Sequence, residues 1–253
     1  MSTSQSFAFG IDIGGTGIKG APVDVTTGEL TANRHRVSTP KPSTPDAVAE
    51  AVKELVAYHK VAQGTPIGLT FPAPIKHGVA PFIANLDQSW KGVDVPALMS
   101  EATGMPVSGV NDADAAGVAE AYYGAAKDVE GVVLLTTLGT GIGSALLVNG
   151  TLVPNTELGH LELDGYNAES RAATSARERE DLSWKRWAER LQRYYEHVEM
   201  LFSPDMIVVG GGVSKNHEKF LPLLTTKAPL VPAKLRNNAG IVGAAHLAAI
   251  GYR

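Results

Sequence analysis

The sequence predicts a two-lobed α/β fold made of two related halves. Its 253 residues are enough for two lobes that each bury a core. The tetrapeptide Gly-Thr-Gly-Ile occurs at 15–18 and again at 139–142, each time between two apolar segments typical of strands. Each copy is followed by a hairpin turn, Thr27-Gly28 or Asn149-Gly150. We therefore expect two α/β lobes with a central cleft, and a chance resemblance of two glycine turns is the alternative.

The remaining elements follow from apolar periodicity and from turn residues. Strands are predicted, in chain order, at 7–13, 18–25, 29–39, 66–71, 105–110 and, around the second glycine turn, within 131–152, with another at 206–214. Helices are predicted at 46–62, 95–104, 112–126, 182–202 and 237–251, since apolar residues recur there at helical spacing. These elements divide the chain into a small N-terminal lobe over 1–112 and a large lobe over 113–238. The terminal helix at 239–253 is expected to join the first lobe.

Composition excludes several classes of protein. The formal net charge of −4 argues against a nucleic-acid partner for the whole molecule. The absence of cysteine excludes a disulfide framework, a thiol nucleophile and a cysteine-ligated zinc. The start, MSTSQSFAFG, is not a signal peptide, and no apolar run approaches the length of a membrane span. The sequence thus favours a cytoplasmic protein without a membrane partner.

The two glycine turns are candidate phosphate-binding loops. In both, a strand follows the turn where a dinucleotide fingerprint would have a helix, and no Walker motif occurs. Such a turn offers backbone N–H groups and a threonine hydroxyl without side-chain bulk, which suits phosphoryl oxygens. Asp12 precedes the first turn and a lysine follows it. The candidate phosphate-binding residues are Gly14, Gly15, Thr16, Gly17, Lys19, Gly139, Thr140 and Gly141.

Polar residues in two further segments are candidates for chemistry. Asp112 follows Asn111 where a strand gives way to a helix, so it is either an ordinary N-cap or a carboxylate that accepts a proton. Glu157 and His160 are three residues apart, which on one helical turn would point both the same way. A sugar site fits this pair because carboxylates and ring nitrogens hydrogen-bond hydroxyl groups. A metal site and a solvated loop are the alternatives.

Five segments, in this order, carry a resemblance to a known family: DIGGTGIK, NDADAAGVAE, LGTGIGSAL, ELGH and GGGVS. The sequence resembles the sugar kinases of the ROK family, and within it the polyphosphate glucokinase branch. Two departures from ordinary members point to that branch. Gly17 stands where they have a lysine, and LELDGYNAESR replaces the cysteine-rich zinc loop after ELGH.

The resemblance implies an actin/hexokinase/Hsp70-like (ribonuclease H-like) fold with duplicated βββαβα halves. It implies transfer of the terminal phosphate of polyphosphate or ATP to the C6 hydroxyl of glucose, and also of mannose. Mg²⁺ near Asp12, held through water, is the expected metal, and no zinc is expected. The resemblance makes Asp112 the catalytic base and assigns the sugar to Asn85, Asn111, Asp112, Glu157, His160 and Glu169. It assigns the nucleotide to Gly210, Gly211 and Gly212, and it is compatible with a homodimer.

Other functions stay open on the sequence alone. A strictly ATP-dependent hexose or N-acetylhexosamine kinase is the nearest alternative. A repressor of the same family would need a helix-turn-helix ahead of the first glycine strand, where nine residues precede Gly10. A non-catalytic sugar sensor is less compatible with Asp112 and two phosphate turns.

A polyphosphate chain requires clustered cations. We expect Gly17 to leave space beside the terminal phosphate and Lys19 to contact phosphates farther along. The other basic candidates are Arg34, Arg36 and Lys41 and, on the predicted helix at 182–202, Lys185, Arg186, Arg190 and Arg193.

Overall fold

The computed structural model describes residues 6–83 and 86–252, and the chain forms two compact units. Unit 1 comprises residues 1–115 and 238–253, and unit 2 comprises residues 116–237. The change of unit after residue 115 falls within helix α3 (Asp112–Tyr123), the helix at whose first residue the sequence analysis ends the N-terminal lobe. No helix in the described ranges has the length and apolar character needed to cross a bilayer.

Unit 1 contains a sheet in which strands follow the order β3-β2-β1-β5-β6, with β4 also paired to β2. The strands are β1 (Phe7–Ile13), β2 (Ile18–Asp24), β3 (Glu29–Leu30), β4 (His35–Val37), β5 (Ile67–Phe71) and β6 (Val107–Asn111). The single strand predicted at 29–39 is thus two short strands. β3 pairs with the far end of β2 and β4 with its beginning, so the chain between them must leave the sheet edge and return.

The helices of unit 1 are α1 (Pro45–Tyr58), α2 (Val95–Thr103) and α7 (Ala239–Ala249), together with the start of α3. Helix α7 packs on β1 and β5 at two glycines. A Cβ at Gly10 would meet the Ile241 carbonyl, and a Cβ at Gly68 would meet the Ala244 carbonyl. Glycine is required there because helix backbone and strand backbone are in contact. This packing fixes β1, the strand that leads into the first glycine turn, and its neighbour β5.

Unit 2 has a sheet of order β13-β12-β7-β8-β9. Its strands are β7 (Val132–Leu138), β8 (Ile142–Val148), β9 (Thr151–Val153), β12 (Met206–Gly210) and β13 (Leu230–Pro232), and a separate hairpin pairs β10 (Glu162–Leu163) with β11 (Tyr166–Asn167). Its helices are α4 (Ala168–Ala172), α5 (Thr174–Arg179) and α6 (Trp184–Phe202). Helix α6 starts where the Ser183 hydroxyl accepts a hydrogen bond from the Arg186 N–H, and its buried face includes Trp187, Leu191 and Tyr194.

The two sheets repeat one topology. In each, a seven-residue strand pairs antiparallel over its whole length with the strand after the glycine turn, β1 with β2 and β7 with β8. A short third strand joins the outer edge, and two parallel strands, β5 and β6 or β12 and β13, extend the other side. The prediction of two related α/β halves is confirmed. The shared topology places the two Gly-Thr-Gly-Ile segments at equivalent positions of the two sheets.

Candidate functional site

The first glycine turn, residues 14–17, is held by hydrogen bonds to its carbonyl groups. The Gly14 N–H donates to the Gly17 carbonyl at 3.1 Å, and the Thr39 hydroxyl donates to the Gly14 carbonyl at 2.5 Å. Within the described residues, the backbone N–H groups of Gly15, Thr16 and Gly17 have no hydrogen-bond acceptor. The turn is therefore fixed in shape while it keeps the donors that a phosphate oxygen needs.

A row of four side chains crosses the sheet of unit 1 beside this turn. Thr70, Asp12, Lys19 and Arg36 are successive cross-strand partners on β5, β1, β2 and β4. The Asp12 carboxylate accepts from the Thr70 hydroxyl at 3.0 Å and from the Lys19 ammonium at 3.2 Å. Directly opposed residues in a sheet point to the same face. Lys19 therefore forms an ion pair with Asp12, and 35 % of the Lys19 side chain is exposed.

Arg36 contacts the first glycine turn. The sequence analysis named it only as one of several basic residues. Its Nη2 donates to the Thr16 carbonyl at 2.5 Å. A Cβ at Gly17 would meet the Arg36 guanidinium, so the space beside this glycine accommodates an arginine side chain. We expected this space to be open for a phosphate, and in the structure it holds the Arg36 guanidinium. Arg36 was missed because the sequence does not reveal which segment pairs with Lys19.

Asn111 and Asp112 lie at the start of α3, and their side chains have different surroundings. The buried Asn111 amide oxygen accepts from the N–H groups of Ala113 at 2.9 Å and Asp114 at 3.3 Å, so Asn111 is the residue that caps the helix. Asp112 is exposed, and its carboxylate accepts from the Ala113 N–H at 2.8 Å. The capping role considered for Asp112 is thus filled largely by its neighbour.

The second glycine turn, residues 139–141, is tied to Glu169 and Ser175. The Gly139 N–H donates to the Gly141 carbonyl at 3.0 Å, and the Ser175 hydroxyl donates to the Thr140 carbonyl at 2.5 Å. Oε2 of Glu169 accepts from the Ile142 N–H at 3.0 Å, and a Cβ at Gly141 would meet this carboxylate. Glu169 thus contacts the phosphate-turn candidates as well as the sugar candidates. The sequence analysis missed Ser175 and this contact, because 27 residues separate Ile142 from Glu169.

The polar residues at 157–169 meet around His160. Its Nε2 lies 3.8 Å from a Glu157 oxygen, and its Nδ1 lies 3.7 Å from a Glu169 oxygen and 3.0 Å from the Asn167 amide nitrogen. If the Asn167 amide donates to Nδ1, the neutral ring carries its proton on Nε2, which faces Glu157. Burial raises the pKa of the Glu157 carboxyl above its ordinary value, with His160 lowering it and Glu169 raising it further. The three sequence candidates form one polar cluster in unit 2.

The remaining candidates have different surroundings. Gly211 has φ +83°, and a Cβ there would meet the Leu138 backbone, so this glycine is required for close packing beside the second turn. Among the residues that the structure describes, no heavy atom beyond its chain neighbours lies within 4 Å of the Cβ position of Gly212. Asn85 lies outside the described residues. Within the described residues, no group of three or more His, Cys, Asp or Glu side chains could hold a metal ion.

Two sheets of one topology, each with a glycine turn between its first two strands, define an α/β protein with an internal duplication. The model of the ROK family matches residues 8–172 and 165–250, and this chain belongs to the ROK family.

Among the most similar relatives are polyphosphate glucokinases. That of Mycobacterium tuberculosis (strain ATCC 25618 / H37Rv) is 47 % identical over 96 % of this chain and 92 % of its own. The crystal structure of the inorganic polyphosphate/ATP-glucomannokinase from Arthrobacter sp. strain KM is 54 % identical, covers 97 % of this chain and 99 % of its own, and has a TM-score of 0.92. The ROK hexokinase from Thermus thermophilus is 28 % identical, with coverage of 96 % and 98 % and a TM-score of 0.79.

Proposed function

We propose that this protein transfers the terminal phosphate of inorganic polyphosphate or ATP to the C6 hydroxyl of glucose, and that it accepts mannose. The observation that carries the proposal is the first glycine turn, which combines free N–H groups with Lys19 and Arg36. Anchored cations beside backbone donors are what a phosphate chain requires. The polyphosphate glucokinases and the glucomannokinase, similar over nearly their whole lengths, support the choice of donors and sugars.

In this proposal the Asp112 carboxylate accepts the proton of the C6 hydroxyl while the C6 oxygen attacks the terminal phosphorus. The bond from that phosphorus to its bridging oxygen breaks, and ADP or a polyphosphate shortened by one unit leaves. Because phosphoryl transfer depends mainly on positioning and charge neutralisation, a carboxylate of ordinary basicity is sufficient. The exposure of Asp112 and the capping role of Asn111 support this assignment.

Sugar hydroxyls are assigned to Asn85, Asn111, Asp112, Glu157, His160 and Glu169. The Asn111 amide oxygen is occupied by the helix start, so its amide N–H groups remain for a sugar oxygen. The raised pKa of Glu157 widens the pH range in which its carboxyl is protonated and can donate a hydrogen bond.

Phosphate oxygens are assigned to the N–H groups and hydroxyls of residues 14–17 and 139–141, with Lys19 and, as an addition from the structure, Arg36. The adenosine of ATP is assigned to Gly210–Gly212, where the open surroundings of Gly212 leave room for a ligand. Gly211 serves close packing against the Leu138 backbone.

Mg²⁺ fits this donor set as an ion held mainly by the phosphates it neutralises. Asp12 is the only carboxylate among the residues assigned to the first turn, and both its oxygens already accept hydrogen bonds. Mg²⁺ commonly keeps several waters and uses one or two carboxylates plus substrate phosphates. Asp12 would therefore hold it through water. The ion supplies charge neutralisation of the donor oxygens.

The deciding experiment measures glucose 6-phosphate formation by the purified protein with polyphosphate and with ATP, side by side, in the presence of Mg²⁺. We expect product with both donors, and mannose 6-phosphate when mannose replaces glucose. Product with ATP alone would identify a strictly ATP-dependent kinase, and product with neither donor would overturn the proposal. Sedimentation velocity on the same sample tests the expected homodimer.

A further inference from the structure

A cavity of about 330 Å³ in unit 2 contains a concentration of arginine, and its lining includes no residue of the glycine turn at 139–141. It is lined by the β10–β11 hairpin, by α4 and by one face of α6. Arg186, Arg190 and Arg193 lie on that face at i, i+4 and i+7, and Arg171 of α4 also lines the cavity. We call these four side chains and the space between them the arginine cavity.

Two of the arginines are already paired. Arg193 makes a two-point contact with Asp164, at 3.1 Å and 2.9 Å, and Arg190 pairs with Glu180 at 2.6 Å. These contacts hold the two guanidinium groups in fixed positions on the cavity wall, and each leaves other N–H donors of the fork unused.

The other two arginines have unused donor groups. Arg171 lies over the Tyr166 ring, 4.2 Å from its centroid, and within the described residues its guanidinium donates no hydrogen bond. Arg186 has neither a hydrogen bond nor an ion pair from its side chain within the same residues. The lining contains four arginines against two carboxylates, Asp164 and Glu189, and Glu180, paired with Arg190, adds a third, so the local charge is still positive although that of the chain is −4. Planar guanidinium groups bind phosphate through paired N–H donors.

Tyr194 also lines the cavity, and its side chain is buried. Its hydroxyl has no hydrogen-bond partner within the described residues, and burial raises the pKa of this hydroxyl well above its ordinary value. Because the hydroxyl is closed off from solvent, we assign no ligand contact to it.

The cavity also adjoins the candidate sugar residues through one short segment. Asn167, which lines the cavity, contacts His160 Nδ1, and Arg171 follows Glu169 by two residues on α4. The charged lining suits a polyanion, and Arg171 covers one face of the Tyr166 ring. Among the proposed substrates only polyphosphate carries charge on every unit, beyond the phosphate that is transferred.

We propose that the arginine cavity binds phosphate units of polyphosphate that lie away from the transferred end, an inference that rests on the function proposed above. Arg171 and Arg186 are the main ligands, and Arg190 and Arg193 contribute their remaining donors. Because ATP has no phosphate beyond its three, the cavity contributes to the use of long polyphosphate and not to the use of ATP.

The test compares Arg171→Gln/Arg186→Gln with a matched control, Lys127→Gln/Lys227→Gln. The control removes the same charge from exposed positions of unit 2 that do not line the cavity. The values of kcat/KM for long-chain polyphosphate and for ATP are measured at fixed ionic strength, because exposed contacts are screened by salt. We expect the ratio of the two values to fall about tenfold, or about 1.4 kcal/mol, in the cavity variant alone. An unchanged ratio, or an equal fall in the control, would overturn the proposal.

Direct binding separates this proposal from the proposed function. Titration calorimetry without sugar uses long-chain polyphosphate and, separately, orthophosphate. We expect polyphosphate affinity to fall in the cavity variant and in single Arg186→Gln, and orthophosphate to bind too weakly to detect. If the wild type fails to use polyphosphate but binds it through these arginines, the donor assignment fails while the site stands. Equal dependence of orthophosphate binding on Arg186 would identify a single-anion site and contradict a chain-binding role.

Discussion

At the scale of single residues, Asp112 carries the most specific assignment. Replacing it by Asn keeps the size of the side chain and the helix cap of Asn111, so the fold should persist. We expect Asp112→Asn to lower kcat by about 10²–10⁴-fold, the range typical of a positioned acid–base group. Asp46→Asn, which removes an acid from the first turn of α1, is the control. Turnover of Asp112→Asn within a few-fold of the wild type would rule out Asp112 as the base.

Lys19 is predicted to distinguish the two donors. A charge-assisted phosphate contact contributes about 1.5–3 kcal/mol, or about tenfold to a hundredfold. Lys19→Ala should therefore lower kcat/KM for polyphosphate more than for ATP, since polyphosphate can use contacts beyond the terminal phosphate. Lys53→Ala removes an exposed lysine of α1 and should change neither value. Equal losses for the two donors would show that Lys19 contacts only the shared terminal phosphate.

Glu157 links the candidate sugar cluster to stability. Its folded-state pKa is raised by burial, so the stability it contributes is complete below the unfolded-state pKa and is lost as pH rises through the folded-state pKa. Glu157→Gln should therefore be more stable than the wild type at neutral pH. The difference should vanish as pH falls towards the ordinary glutamate pKa of about 4.3. Urea unfolding across this range, with the exposed Glu50→Gln as control, measures it. A difference independent of pH would contradict the assignment.

At the scale of elements, the pairing of β2 with β4 determines the shape of the first turn. Gly17 does not have positive φ, so an alanine there meets no backbone strain and its cost comes from the Arg36 guanidinium. Because this guanidinium is the end of an exposed and flexible side chain, we expect Gly17→Ala to displace it and to lower the free energy of unfolding by about 0.5–1.5 kcal/mol, the contribution of the lost hydrogen bond to the Thr16 carbonyl. In an Arg36→Ala background the loss should be smaller by at least about 0.5 kcal/mol. Additive effects in this double-mutant cycle would show that the cost of Gly17→Ala does not come from contact with the Arg36 side chain.

At the scale of the whole molecule, metal should affect turnover and not folding. The chain has no cysteine, and the segment LELDGYNAESR stands where ordinary family members have a zinc loop. We expect EDTA to abolish turnover, Mg²⁺ to restore it, and the Tm to stay constant throughout. Elemental analysis after dialysis should find no stoichiometric zinc. One zinc per chain, or a Tm lowered by EDTA, would contradict this prediction.

Sequence alone determined the duplicated organisation of this protein and most of its strands and helices. Apolar periodicity and paired glycine turns are local signals, so they identify 7–13 with 18–24 and 132–138 with 142–148 as equivalent strand pairs. The same locality explains why Asp12, Lys19, Asp112, Glu157, His160 and Glu169 could be named as candidates. Each stands in or beside a motif that can be read along the chain.

Only the tertiary structure decided which of these residues meet. Arg36 contacts Thr16 because β4 pairs with β2. The chain leaves the edge of the sheet after β3 and returns as β4, and no local sequence pattern specifies this path. Glu169 reaches the second turn across 27 residues, and Arg171 reaches the face of α6 through the packing of α4. Strand register and helix packing are set by long-range burial and hydrogen bonding. Contacts of this kind therefore follow from the folded chain and not from the sequence of any one segment.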